Sequence, residues 1–152
     1  MKLGLLGLGK MGANIARRLA QGGHEVVIFN RTGQVTRDLA SESKGLTPVF
    51  SYEEMIANLQ PPRILWLMVP AGQVTEDMLL SLADLVDPGD ILIDGGNANY
   101  HDSRRRGEML ALRKIHFLDV GVSGGIWGLQ EGYSLMIGGE AEVAEKLNPI
   151  FQ

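Results

Sequence analysis

A chain of 152 residues fits one domain and can bury a substantial core, roughly two-thirds of the surface its unfolded form exposes. With 45% hydrophobic residues, 21% charged residues and a net charge of −4, its composition is globular and excludes a strongly basic nucleic-acid binder. The lack of cysteine excludes a disulfide framework, a thiol nucleophile and a Cys-ligated metal site, and fits a reducing, cytoplasmic setting.

The first expected element is a strand over residues 2–6. Its apolar run is interrupted by Gly4 and reaches Lys10 without a cleavage-like segment, which argues against a signal peptide. No apolar stretch approaches the roughly 18 residues needed to cross a bilayer. The strand runs into Gly7-Leu8-Gly9-Lys10-Met11-Gly12, where a helix begins. That helix carries Met11, Ile15 and Leu19 at four-residue spacing, turns Arg17 and Arg18 outward, and stops at Gly22-Gly23. A G-x-G-x-x-G pattern alone is a weak signal, but between a strand and a helix it has a physical meaning. The first glycine permits a tight turn, the second removes a Cβ that would block a pyrophosphate, and the third lets helix and strand pack closely. The helix N-terminus then presents unpaired N–H groups and a partial positive charge to the phosphates. Residues 7–12 are therefore the expected dinucleotide phosphate loop.

The second strand, residues 25–29, ends in Asn30-Arg31-Thr32. An NAD-binding fold usually carries an acidic residue near this point to bond the adenosine ribose, and that charge would repel a 2′-phosphate. Asn30 removes the charge, Arg31 offers a planar cation suited to phosphate, and Thr32 adds a hydroxyl that could equally cap the helix expected over residues 32–43. This favours NADP, with NAD possible. A weaker strand is expected near 47–50, then a helix over 52–59, a loop at Pro61-Pro62, a strand over 64–69 and a helix over 74–85. A strand over 90–93, a helix over 101–113, strands over 115–120 and 134–137, and a helix over 140–147 complete the series. Near-continuous apolar strands alternating with helices indicate an α/β, doubly wound, Rossmann-type, mostly parallel sheet forming a single domain over 1–152. Arg104-Arg105-Arg106 reads as a solvated helix face. His24, His101 and His116 are isolated, lack ligand spacing, and read as structural, with no metal site.

Three further segments follow strands at the edge where open α/β sheets bind ligands: Met68-Val69-Pro70-Ala71, Asp94-Gly95-Gly96-Asn97 and Gly121-Val122-Ser123-Gly124-Gly125. Together with the glycine loop and Asn30-Arg31-Thr32, they make the chain resemble the decarboxylating 6-phosphogluconate dehydrogenases over essentially its whole length. The resemblance implies that Val69, Pro70 and Ala71 pass along the nicotinamide side of the cofactor, and that Asn97 contacts both cofactor and substrate. It implies that Ser123, Gly124 and Gly125 hold the sugar acid. For Asp94 the expected role is only a turn-forming side chain. Pro70 and Ile126-Trp127 depart from the long-chain pattern and are similar to a shorter bacterial branch, which includes NAD-preferring members.

The implied reaction is oxidation of 6-phosphogluconate at C3 with hydride transfer to the nicotinamide, then loss of carbon dioxide to give ribulose 5-phosphate. In the family the base and acid are a Lys and a Glu of a helical, dimerising domain that lies beyond Gln152. No catalytic residue is expected within this chain, and Lys114 and Lys146 are not promoted to that role. The fragment alone is accordingly expected to bind the dinucleotide without turnover, and the full-length protein to be a homodimer with no nucleic-acid or membrane partner. The nearest competing reading is another β-hydroxyacid dehydrogenase, of the 3-hydroxyisobutyrate or tartronate semialdehyde type. Those relatives carry an Asp-x-Ser-Thr-like end where this chain has Asp94-Gly95-Gly96-Asn97. A non-enzymatic nucleotide-sensing module is the alternative of a different class.

Overall fold

The computed structural model describes residues 1–124 and 127–152. Among them, seven strands form one sheet: β1 (Lys2–Leu6), β2 (Glu25–Phe29), β3 (Leu46–Pro48), β4 (Ile64–Leu67), β5 (Ile91–Asp94), β6 (His116–Ser123) and β7 (Ser134–Gly139). Their order is β3-β2-β1-β4-β5-β6-β7. The first six run parallel, and β7 is antiparallel to β6. The helices are α1 (Lys10–Gln21), α2 (Gly33–Ala40), α3 (Tyr52–Ala57), α4 (Gln73–Ala83), α5 (Tyr100–Leu112), α6 (Gly128–Glu131), α7 (Ala141–Lys146) and α8 (Asn148–Phe151).

The apolar strands are buried because helices cover both faces of the sheet. Alternate side chains of a strand point to opposite faces. Leu3 and Leu5 of β1 accordingly join a core with Ile15 and Leu19 of α1, whereas Leu6 joins a second core with Leu79 and Leu82 of α4. Ile15 and Leu19 face the sheet as their four-residue spacing requires, and α1 ends at Gly22-Gly23 with Gly23 at φ +90°.

Several boundaries differ from those expected, each for a local reason. β4 ends at Leu67, with the Met68 N–H closing its ladder on the Leu6 carbonyl. The strand expected over 115–120 reaches Ser123, since β7 pairs with it up to Ser123 opposite Ser134. The weak strand near 47–50 is a three-residue strand at 46–48. α6 and α8 are four-residue helices that no periodicity can reveal. The solvated face expected of Arg104-Arg105-Arg106 is corrected: Arg106 is buried at 1% exposure and lies on the inward stripe with Ser103 and Leu110. Arg17 and Arg18 are half-buried rather than outward. Arg17 pairs with Glu42 at 2.7 Å, and Arg18 donates to the carbonyl of Leu129 at 3.1 Å, which ties α6 to α1.

Burial separates positions that look alike by composition. Leu5 is fully buried in the central strand, whereas Leu112 at the end of α5 is 88% exposed. Leu5→Ala is expected to cost about 2–5 kcal/mol in urea unfolding, from lost transfer energy and a residual cavity. Leu112→Ala should stay within about 0.5 kcal/mol. Equal costs at the two positions would contradict this layering.

Candidate functional site

The sheet order places β1 beside β4, so successive strands run outward in one direction up to β3 and in the other from β4. The loops leaving the carboxyl ends of β1 and β4 therefore diverge, and a crevice opens where ligands of such sheets bind. Five segments converge on this edge: the glycine loop after β1, residues 30–32 after β2, 68–72 after β4, 94–97 after β5 and the end of β6.

The three loop glycines have separate causes. Gly7 takes φ +99°, a conformation that costs a side-chain-bearing residue, and a Cβ there would strike the Met68 carbonyl. A Cβ on Gly12 would strike the Gly7 carbonyl, so α1 approaches the turn backbone to backbone. A Cβ on Gly9 would meet nothing within 4 Å. The protein's own packing thus explains Gly7 and Gly12, while the bare face of Gly9 opens outward at the N-cap of α1. The N–H groups of Lys10, Met11 and Gly12 lie in the first turn and have no intrahelical acceptor. No acidic side chain stands in that turn to compete for them. The arrangement fits the diphosphate of a dinucleotide.

Asn30 has a use beyond lacking a charge. Its Oδ1 accepts from the N–H of Leu8 at 2.9 Å, and its own N–H donates to the hydroxyl of the buried Thr36 at 3.0 Å. The side chain therefore braces the glycine loop from β2. Leu8, expected among the cofactor contacts, has its N–H committed to Asn30 and its side chain in the core. Arg31 is exposed at the rim, and Thr32 is the N-cap of α2 without a side-chain capping bond, which leaves its hydroxyl available. Nearby, Phe29 and Tyr52 meet edge-on at 5.2 Å, and the Arg37 guanidinium lies 4.8 Å from the Phe50 ring centre. Burial raises the Tyr52 hydroxyl above its usual pKa, and Arg31 opposes this.

On the β4 side, Val69 is half-buried while Pro70 and Ala71 are exposed. The loop is anchored from below by fully buried Thr75, whose hydroxyl donates to the Pro70 carbonyl at 2.8 Å. After β5, Asn97 stands at φ +56°, a left-handed conformation that Asn tolerates better than most residues. Its Oδ1 accepts from the Val122 N–H at 3.2 Å, so the side-chain carbonyl joins the loop to β6, and among the described residues the amide NH₂ has no acceptor. Ser123 and Gly124 are exposed at the end of β6, with the Tyr133 ring packed where a Gly124 Cβ would lie. Gly125, also expected at this site, lies outside the described residues.

Behind the loops lies a charged cluster that sequence reasoning missed. Asp94 is not only a turn former: one oxygen accepts from the Gly96 N–H at 2.9 Å, and the other pairs with Arg106 at 3.3 Å. Glu76 of α4 pairs with both Arg105 and Arg106, at 2.8 and 2.9 Å. The bond from Arg105 is the main cause that lowers the Glu76 carboxyl to about 2, with Arg106 adding to it against the opposing effect of burial. Burial raises Asp94 above its usual value, opposed by the Gly96 N–H and Arg106. The inward spacing of Ser103, Arg106 and Leu110 was the one available signal that Arg106 faces the sheet.

His24 and His116 make contacts within the fold, whereas His101 is exposed beside Tyr100. His24 bonds the amino terminus at 2.9 Å and the Pro149 carbonyl at 3.2 Å, and His116 bonds Glu140 at 3.2 Å. Among the described residues no group of His, Cys, Asp and Glu could hold a metal ion, and no helix is long and apolar enough to cross a membrane. Lys114 follows α5 and precedes β6, at the edge of the sheet away from the loops.

Comparison with known proteins supplies the family. The profile described as the NAD binding domain of 6-phosphogluconate dehydrogenase matches residues 2–152. The chain is 44% identical over 151 residues to the protein of Staphylococcus aureus (strain N315) named 6-phosphogluconate dehydrogenase, decarboxylating, covering 98% of this chain and 32% of that one. It is 40% identical over 150 residues to a Bacillus subtilis (strain 168) protein named 6-phosphogluconate dehydrogenase, NAD(+)-dependent, decarboxylating, covering 97% and 32%. The chain thus spans 32% of the length of each of these relatives. Among solved structures, Plasmodium falciparum 6-phosphogluconate dehydrogenase superposes with a TM-score of 0.92 at 31% identity, covering 99% of this chain and 33% of that one. Mycobacterium tuberculosis 3-hydroxyisobutyrate dehydrogenase gives 0.86 at 24% identity, covering 99% and 50%, and shares the fold.

The charged cluster can be tested without any ligand. The Glu76 carboxyl is held at about 2, below its ordinary 4.5. Its contribution to stability is therefore complete above pH 4.5 and is lost as the pH falls towards 2. Glu76→Gln should be less stable than the parent at pH 7 in urea unfolding, and this deficit should shrink between those two values. A deficit that stays constant down to the lower limit would contradict the assignment.

Proposed function

The chain belongs to the family of the NAD binding domain of 6-phosphogluconate dehydrogenase, and on that premise we propose that residues 1–152 form the dinucleotide-binding domain of an enzyme that oxidises and decarboxylates 6-phosphogluconate to ribulose 5-phosphate. NADP is the preferred coenzyme and NAD a usable one. The observation that carries this reading is the open face of Gly9 above the first turn of α1, where a diphosphate can lie against backbone N–H groups.

The family likeness and the loop geometry together support the following division of roles. Lys10, Met11 and Gly12 donate backbone N–H groups to the diphosphate, and Asn30 keeps the loop in place through Leu8. Arg31 and Thr32 meet the adenosine end, with no carboxylate beside them to repel a 2′-phosphate. When bound, the nicotinamide supplies the acceptor for hydride. Val69, Pro70 and Ala71 flank that end, and Thr75 fixes their height. Asn97 donates its NH₂ towards coenzyme and substrate, and Ser123, Gly124 and Gly125 receive the sugar acid. The proton-transferring Lys and Glu are assigned to a helical domain within the additional length of the relatives, which also carries the homodimer contact. The 152-residue chain alone binds coenzyme and does not turn over substrate.

Titration of the chain with both coenzymes tests the reading, using the glycines as internal controls. NADP⁺ should bind more tightly than NAD⁺, and Arg31→Ala should narrow that difference. Gly9→Ala should leave stability within about 1 kcal/mol, the scale of a helix N-cap change, yet weaken coenzyme at least tenfold. Gly12→Ala should instead destabilise the fold by about 1–3 kcal/mol, as overpacking does. Failure of a folded chain to take up either coenzyme at millimolar concentration would refute the proposal. For the complete protein, reduction of NADP⁺ with 6-phosphogluconate is expected, and reduction with 3-hydroxyisobutyrate in its place would move the activity to the other branch.

A further inference from the structure

Arg106 is nearly inaccessible and spreads its guanidinium over three segments. Nε donates to Glu76 Oε1 at 2.9 Å, Nη1 to Asp94 Oδ2 at 3.3 Å, and Nη2 to the Gly72 carbonyl at 3.3 Å. Two of the acceptors, Gly72 and Asp94, sit at the roots of loops that carry site residues. Gly72 ends the loop containing residues 69–71 and turns into α4 at φ +99°. Asp94 ends β5 and holds the Gly96 N–H, one residue before Asn97. Glu76 lies in the first turn of α4. The two loops also touch directly, since a Cβ on Gly96 would collide with the Val69 carbonyl. A shift of one loop must therefore move the other.

Stability alone is a poor reason for such a cluster, because a buried ion pair gains little over well-packed apolar groups of similar volume. A planar fork with several donors in fixed directions is instead suited to fixing the relative position of its acceptors. We infer that Arg106 is a positioning residue that locks the 69–72 and 94–97 loops into one unit and holds residues 69–71 and Asn97 against the nicotinamide end of the coenzyme. This inference rests on the nucleotide-binding reading of the site. Arg106 itself touches neither coenzyme nor substrate; it acts through Gly72 and Asp94.

The test separates the two ends of the coenzyme in the 152-residue chain. Backbone amide resonances are followed by ¹⁵N NMR during titration with NADPH and with 2′-phospho-ADP-ribose, which lacks the nicotinamide ring. In the parent, the amides of the glycine loop should respond to both ligands, and those of Gly96 and Asn97 to NADPH alone. Arg106→Lys keeps the charge but cannot reach all three acceptors. It should keep the glycine-loop response and the fragment affinity within about twofold, while losing the Gly96 and Asn97 response and weakening NADPH about tenfold, the scale of one hydrogen bond. The double variant Arg106→Met with Asp94→Asn removes both charges, keeps an Oδ1 for the Gly96 N–H, and should behave in the same way. It decides the matter by the same criteria if the lysine variant does not fold. Parallel loss of both ligands, or an unchanged response at Gly96 and Asn97 in a folded variant, overturns the role of Arg106. So does a parent in which the glycine loop responds and Gly96 and Asn97 do not. A parent whose glycine loop responds to neither ligand refutes the nucleotide reading itself, and the inference falls with it.

Discussion

The carbonyl of Gly7 occupies the space that a Cβ on Gly12 would need, and this backbone-to-backbone approach fixes α1 against the end of β1. The first turn of α1 is thereby aimed across the crevice between β1 and β4. Gly7 is held in turn by its N–H bond to the Phe29 carbonyl at 2.9 Å, and Leu8 by its bond to Asn30. The loop is thus set by β2 as much as by β1. Helix, turn and second strand are thus tied together by hydrogen bonds, and a loop held in this way binds a charged group at a lower ordering cost.

The other half of the crevice is built by different means. No glycine turn of that kind follows β4; Thr75, Gly72 and the Arg106 cluster set its height from below. Hydrogen bonds to buried polar groups cost little when every partner is present and much when one is removed. The fork on Arg106 is sensitive in that sense, because Asp94 is fully buried beside Asp119 of the neighbouring strand. Asn97 adds a lateral tie to β6 through Val122, so the loops after β4 and β5 are linked in series to that strand.

The fold was legible because its signals are local. Near-continuous apolar runs located β1, β2, β4 and β5 within two residues at either end, and the spacing of Ile15 and Leu19 located the buried face of α1. The glycine loop was legible for the same reason, since strand, turn and helix are contiguous. The bracing was not. Asn30 to Leu8, Arg106 to Gly72 and Asn97 to Val122 join residues 22, 34 and 25 positions apart, and no local pattern encodes such a pairing. Arg106 misled for a further reason: it follows two exposed arginines, and composition outweighed its place on the Leu110 stripe. The extension of β6 was hidden because it depends on an antiparallel partner that arrives only after α6.

On the proposed reading, the neutral Asn30 and the exposed Arg31 after β2 bear on coenzyme choice, whereas the Arg106 cluster joins the loops after β4 and β5. The most direct measurement of the central claim is a crystal structure of the chain grown with NADP⁺. The account predicts diphosphate oxygens within hydrogen-bonding distance of the N–H groups of the first turn of α1, over the bare face of Gly9. A diphosphate bound elsewhere on the sheet edge, with that first turn left to solvent, would contradict it.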